Sequence, residues 1–378
     1  MPDVLIHGDT FRSPELRHEV PIGIPDPFLY AEVGGVKHIV IGSLEIPRLR
    51  ALGAYEIHPT EEFGSDDLVA AGLTFHEIAD EIVRRAVAAL GVTKASVPDD
   101  FPLRYADVLR GSGVELETDY ELFDDRRRVK NAGEVAGIRR AQRAAEAGMD
   151  AARELLRRAT ANGGGLAVDG KPLTSERIKV AIAEAFVANG ATAEDFIVSH
   201  GPQSAVGHDM GSGPLQAGEP IVIDLWPRDN ESACYADMTR TFVVGEIPDE
   251  LLAWHRLVKD SLDTSFALVR EGADCRAIYD ASCEGFEAAG FPTSRTKEPG
   301  KPLEDGYFHS LGHGVGLEVH EQPGMGRASQ STLRAGDVVT LEPGLYRPGF
   351  GGLRLEDLVL VTAHGAENLT QYPYDLTP

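Results

Sequence analysis

Residues 219–245 read EPIVIDLWPRDNESACYADMTRTFVVG: two apolar runs, Glu219–Trp226 and Thr239–Gly245, joined by a polar stretch. Short apolar runs bounded by turn-forming residues make strands, and consecutive strands tend to pair. Asp224 interrupts the first run, and Asp237 stands just ahead of the second. An isolated buried carboxylate is costly unless it is paired, protonated or bound to a cation. One such residue is ordinarily an edge position or half of an ion pair. The pattern recurs near the end of the chain, however. Glu342 follows the apolar run Asp337–Leu341 (DVVTL), and Glu356 lies inside Arg354–Thr362 (RLEDLVLVT). The two pairs are 13 and 14 residues apart, each interval suiting a strand, a turn and a return strand. Two hairpins would present four carboxylates to one centre, and two divalent cations would neutralise them. Oxygen donors suit hard or borderline ions such as Mn²⁺, and one imidazole widens the choice to Co²⁺, Fe²⁺ or Zn²⁺.

The imidazole has a candidate between the pairs. Residues 309–321 read HSLGHGVGLEVHE, with His309, His313 and His320 and with glycines around the middle one. A single histidine is more often structural than a ligand. Glycines fill a core poorly, though, and here they suggest close backbone approach to a site. His208, in AVGHDMGSG ahead of the first carboxylate strand, is a weaker signal. The plain reading of His208, His309 and His320 is a hydrogen bond to a ligand group.

Outward from these motifs, the chain of 378 residues suits two domains. Residues 1–128 read as a small α/β unit, with strands at Lys37–Ser43 and Val114–Thr118. Between them Thr74–Leu90 has helical spacing, with Thr74 as its N-cap. The run DDRRRVKN at 124–131 reads as a charged hinge, its bland alternative being a solvated linker. Residues 129–378 then give helices at about 134–160, 175–188, 249–270 and 276–289, along with the carboxylate strands. Helices on one side of a mostly antiparallel curved sheet make an α+β fold. Thirty-six basic residues against 60 acidic ones leave a net charge of −24, which discounts nucleic acid and anionic membranes as partners. Cys234, Cys275 and Cys283 show no metal or disulfide spacing. No run is long and apolar enough to span a membrane, and nothing at the N-terminus marks secretion. A reducing cytoplasm is the expected compartment.

In these residues the chain resembles the pita-bread metallopeptidases: prolidase, aminopeptidase P, creatinase and methionine aminopeptidase. The motifs are DMTRTF after Asp237, GHGVGLEVHE around His313, LEPGLY at Glu342 and LRLED at Glu356, all in the family's order. The likeness is strong over about 125–378. The small N-terminal domain matches that of prolidase, aminopeptidase P and creatinase only in size and pattern. The resemblance implies a dinuclear site with Asp224, Asp237, His313, Glu342 and Glu356 as ligands to two divalent ions, Mn²⁺ first and Co²⁺ or Zn²⁺ as alternatives. It implies attack of a metal-bridging hydroxide on the Xaa-Pro bond of a dipeptide or short peptide. Glu342 would shuttle the proton, and His208 and His320 would position substrate and steady the oxyanion. His309, Tyr346 and Arg354 would be further substrate contacts, and the chain would form homodimers.

Two departures stand out. The family commonly separates its Asp ligands by eleven residues and has glycine two residues after the first, whereas this chain has Asp224-Leu-Trp-Pro and a longer hairpin tipped by Trp226–Ser232. Gly324 stands where some prolidase-like sequences carry a basic residue for the substrate carboxylate, a role open to Arg327 or Arg354. Two other readings share the fold: hydrolysis of another small amide, as in creatinase-like relatives, and a non-catalytic module that binds protein. The complete ligand set weighs against the second.

Overall fold

The computed structural model describes residues 2–161, 163 and 165–378. They form two compact units, one up to Arg127 and the other Arg128–Pro378.

The first unit is built on six strands: β1 (Val4–Gly8), β2 (Phe28–Val33), β3 (Val36–Ile41), β4 (Glu56–Pro59), β5 (Lys94–Val97) and β6 (Glu115–Thr118). Their order is β4-β3-β2-β1-β5-β6. The central three are antiparallel, while β4 and β5–β6 join in parallel. Alternation along β1 buries both faces. Val4 and Ile6 pack with Leu16, Leu49 and Phe123, and Leu5 packs with Ile82, Val83, Val87 and Leu109. Helix α1 (Phe75–Ala89) supplies much of the second layer. It starts where the sequence places it, because Thr74 and Glu77 form a reciprocal capping box.

The basic run at 124–131 departs from expectation. It is not a solvated linker, since Tyr120–Arg128 is a helix, α2, and Arg127, Arg128 and Lys130 are buried. Within the first unit Arg126 bonds Glu19 and Glu32 at 2.8 and 2.9 Å. Within the second, Arg128 makes a two-pronged contact with Asp337 at 3.0 and 2.7 Å, and Lys130 pairs with Glu321. Cations are buried here because distant carboxylates meet them.

The second unit layers helices on antiparallel sheets. Helices α3 (Ala132–Arg158) and α4 (Ser175–Ala188) cover the three-stranded sheet β7 (Ile197–His200), β8 (Pro220–Leu225), β9 (Met238–Val243). Helices α5 (Asp249–Leu268) and α6 (Cys275–Ala288) share a core with a second sheet. Its strands are β10 (Gly312–Gly314), β11 (Glu321–Met325), β12 (Val338–Leu341), β15 (Asp357–Thr362) and β16 (Gly365–Asn368), in the order β11-β10-β12-β15-β16. Between β12 and β15 a separate hairpin forms, β13 (Gly344–Arg347) with β14 (Gly351–Arg354). The strands thus divide among several sheets where a single curved one was expected, and the interval after Glu342 is a hairpin in its own right. Among the described residues no helix is long and apolar enough to cross a membrane.

The longer interval after Asp224 is absorbed away from the β8–β9 ladder, whose register runs unbroken from Pro220–Val243 to Leu225–Met238. Arg228–Asp229 pairs with Ala191–Thr192, and Asp229 accepts two bonds from Arg140 of α3 at 2.9 and 2.8 Å. The extra residues therefore anchor the hairpin tip to the long helix.

Candidate metal centre

The two carboxylate pairs come from different sheets. Asp224 stands opposite Thr239 in the β8–β9 ladder, and Asp237 immediately precedes β9. Glu342 and Glu356 flank the Leu341–Asp357 pair that closes the β12–β15 ladder. Main-chain bonds join the sheets at this point. Glu356 N–H donates to the Thr239 carbonyl, and the buried Arg240 guanidinium donates to the carbonyls of Thr239 and Glu356 and to Asp357.

His313 occupies the middle of β10. Its Nε2 lies 3.4 Å from Glu342 Oε1 and 3.8 Å from Asp237 Oδ2. One donor atom each from Asp237, His313 and Glu356 falls within 4.8 Å of the others. The ring's Nδ1 is 3.1 Å from the Gly314 carbonyl, so Nδ1 carries the donated proton and Nε2 faces the carboxylates. The flanking glycines approach neighbouring strands rather than the site itself. A Cβ on Gly312 would sit 2.0 Å from the Thr340 carbonyl oxygen, and one on Gly314 would sit 2.3 Å from that of Gln322.

The charges are crowded. Burial first, and then Asp224 and Glu342, push the Asp237 carboxyl well above the usual range. Burial and the neighbouring carboxylates do the same to Glu356. Burial opposes charge on Glu342 and His313 as well, but their mutual hydrogen bond and attraction prevail. Glu342 is drawn down to about 2 and His313 up to about 9. The crowding of buried acids thus favours the protonated form of Asp237 and Glu356 where no further positive charge offsets it. Asp224 Oδ1 and Asp237 Oδ1 are buried with no hydrogen-bond partner. Orphaned carboxylate oxygens in a cluster that also holds an imidazole nitrogen fit divalent cations.

Arg354, the last residue of β14, is buried against this cluster. It donates from Nη2 to Asp224 Oδ2 at 2.5 Å, from Nη1 to the Tyr346 hydroxyl at 3.0 Å and from Nε to Thr239 Oγ1 at 3.1 Å. Three of its donors are thereby engaged within the protein. Arg327 is exposed and donates to the Ser294 carbonyl. His309 meets the Tyr346 hydroxyl through Nε2 at 2.9 Å and the Ser310 carbonyl through Nδ1 at 2.7 Å. The carbonyl takes the ring proton, so Nε2 accepts from tyrosine. Phe308, His309 and Tyr346 form an aromatic wall, with Phe308 and Tyr346 centroids 5.0 Å apart. His320 packs 4.3 Å from His313, centroid to centroid, and is exposed. His208 is exposed too, and burial first, with the neighbouring histidines adding to it, lowers the pKa values of His309 and His320.

Two threonines escaped the sequence reading. Thr239 Oγ1 donates to Glu356 Oε2 at 2.7 Å while accepting from Arg354. Thr340 Oγ1 lies 3.3 Å from Glu342 Oε1 and accepts from the His313 N–H at 3.1 Å. The signal was available: each stands two residues from a carboxylate, and a period of two puts both side chains on one face of a strand.

The sequence profile of metallopeptidase family M24 matches residues 136–363. The chain belongs to metallopeptidase family M24. It is similar to the Xaa-Pro dipeptidase of Pyrococcus furiosus, 34% identical over 191 residues, which cover 50% of this chain and about half (51%) of that relative. Its fold superposes on an Xaa-Pro dipeptidase from Bacillus anthracis with a TM-score of 0.79 at 22% identity, covering 100% of this chain and 94% of the other. An X-Pro aminopeptidase from Thermotoga maritima gives a TM-score of 0.78 at 20% identity, over 99% and 97% of the two chains. These likenesses establish the pita-bread fold.

Proposed function

We propose that this metallopeptidase cleaves Xaa-Pro bonds in dipeptides or short peptides, using two divalent cations held by Asp224, Asp237, His313, Glu342 and Glu356. The observation that carries the proposal is the convergence of Asp237, His313 and Glu356 donor atoms beside two orphaned carboxylate oxygens. Mn²⁺ suits the oxygen-rich set best, with Co²⁺ and Zn²⁺ as substitutes. Cations held there would lower the pKa of a water and polarise a carbonyl. The protein's own groups do the rest. Arg354 fixes Asp224 by one oxygen and leaves the other facing the centre. Thr239 fixes Glu356. Glu342, steadied by Thr340, takes a proton and returns it to the departing proline nitrogen. His320 and His208, both exposed, orient the substrate and steady the oxyanion. The wall of Phe308, His309 and Tyr346 offers an apolar surface for a pyrrolidine ring. Residues 1–128 and 129–378 act as the N-terminal and catalytic domains. The three cysteines are buried and unpaired, which suits a cytoplasmic setting. A homodimer would show as a doubled mass in light scattering.

The test is hydrolysis of Ala-Pro, Gly-Pro and Ala-Pro-Ala by purified protein with Mn²⁺, Co²⁺ or Zn²⁺, against a chelated control. Metal-dependent cleavage of the dipeptides alone identifies a dipeptidase, and cleavage of the tripeptide at its first bond an aminopeptidase. Bound metal without cleavage of any of the three removes the proline specificity and moves the substrate to another small amide.

A further inference from the structure

The first unit carries a second cluster of metal-ligating side chains, unconnected with the carboxylate centre. His38 lies on β3, and Glu56 and His58 lie on the edge strand β4. These strands are parallel, with His38 opposite Glu56 and Val40 opposite His58. The register puts all three side chains on one face at the sheet's edge. A ligand atom from each lies within 4.8 Å of the others. His38 Nδ1 is 3.1 Å from His58 Nε2 and 3.5 Å from Glu56 Oε2.

Those separations can be set against a coordination polyhedron. Zinc bonds of ~2.0–2.1 Å in a tetrahedron imply ligand-to-ligand edges of about 3.3–3.4 Å. The two measured edges bracket that value. A second observation concerns how the ring of His58 is held. Its far nitrogen, Nδ1, is 3.0 Å from Glu62 Oε2, in the 3₁₀ turn that follows β4. A carboxylate gripping the outer nitrogen of a histidine fixes its tautomer and leaves Nε2 as a free lone pair, the arrangement found behind metal-binding imidazoles. The His58 ring also stands 6.1 Å from Phe63, centroid to centroid, at the end of the same turn. Exposure grades outward: the His38 side chain is 11% exposed, that of His58 22% and that of Glu56 63%. A bound ion would therefore sit at the surface, with a fourth position open to water.

We infer that His38, His58 and Glu56, braced by Glu62, form a zinc-class metal site in the N-terminal unit, separate from the carboxylate centre. Two imidazoles and one carboxylate select Zn²⁺, or Co²⁺ in its place, over the harder ions that suit an oxygen-rich site. The ion would clamp the edge strand β4 and the turn after it to β3. Without an ion, two facing imidazole nitrogens would merely share one proton.

The experiment uses the full chain, stripped of metal, dialysed against buffered free Zn²⁺ and counted by elemental analysis. Wild type is expected to hold one more Zn²⁺ per chain than His58→Ala. Glu62→Gln is expected to keep the ion but bind it about 10–100-fold more weakly. Equal zinc in wild type and a folded His58→Ala overturns the proposal. If His58→Ala does not fold, Glu56→Gln, at the exposed edge, takes its place: at least tenfold weaker binding supports the site, and unchanged binding overturns it. Because the count is a difference between variants that leave the carboxylate centre intact, its outcome is independent of what that centre binds.

Discussion

Thr239→Val isolates the hydroxyl that links Arg354 to Glu356. Thr239 is fully buried in β9, and valine keeps both its shape and its preference for strands. The change removes two hydrogen bonds, at 2.7 Å to Glu356 Oε2 and 3.1 Å from Arg354 Nε. It leaves the Nε–H of Arg354 buried without its acceptor, at a cost of about 1–3 kcal/mol. It also frees the Glu356 carboxyl to turn, and loss of such a support typically lowers metal affinity by about 10–100-fold. That loss corresponds to about 1.4–2.8 kcal/mol, the same size as the hydrogen-bond penalty. The assay is competitive Mn²⁺ titration of the wild type, Thr239→Val and Thr239→Ser. Serine keeps the hydroxyl and should stay within a few-fold of wild type. Equal losses in both variants would assign the effect to packing, and unchanged affinity in the valine variant would refute the bridging role.

Three other outcomes follow from the site. Asp237→Ala should abolish metal binding and hydrolysis in a folded protein, and a metal-replete, active variant would remove Asp237 from the ligand set. His320→Ala should lower turnover at least about tenfold with metal retained; unchanged kinetics would leave the ring a structural role only. pH dependence has a defined sign. In the metal-free protein His313, raised from 6.5 to about 9, adds stability that is full below pH 6.5 and is lost as pH climbs through 9. Glu342, lowered from 4.5 to about 2, adds stability present above pH 4.5 and lost as pH falls towards 2. Since a ligand imidazole must shed its Nε2 proton, apparent metal affinity should rise about tenfold per pH unit below 9 for each proton displaced. Calorimetry in two buffers of different ionisation enthalpy measures that release, and no release would contradict the charged state of His313.

Much of this was legible because the signals were residues in the wrong company. Asp224 within IVIDLW and Glu356 within LRLEDLVLV are expensive where they stand, and the strand around Asp224 lies where the pattern puts it, while the run around Glu356 is split, with Glu356 between the end of β14 and the start of β15. A helix with a strong cap was also readable, α1 behind Thr74, whereas α3 begins ahead of the expected 134 because Asn131, inside the run read as a hinge, caps it. Partners far apart in sequence were not. Nothing near Arg128 or Lys130 announces Asp337 or Glu321, so a run of buried ion pairs read as an exposed hinge. The stretch from Glu342 to Glu356 has the length of one turn-and-return, and its folding as β13–β14 is decided by contacts that pattern does not carry. The register of β3 on β4, which brings His38 beside His58, needs a parallel pairing across an intervening helix, and no local signal fixes it.

The division of the carboxylates between two sheets has a consequence for how the protein is made. Asp224 with Asp237, and Glu342 with Glu356, are each brought close by contacts local in the chain, which form early at small loop-closure cost. The bond from Glu356 to Thr239 spans more than a hundred residues and comes only when the sheets dock. Until then each half offers a bare pair of acids, a weak and unselective trap for whatever ion is abundant. An ion held at the finished centre would stabilise the docked sheets by mass action. In a cell short of the right ion, newly made chains would complete docking without it, and metal supply would set how long the finished protein persists, more than how fast it folds.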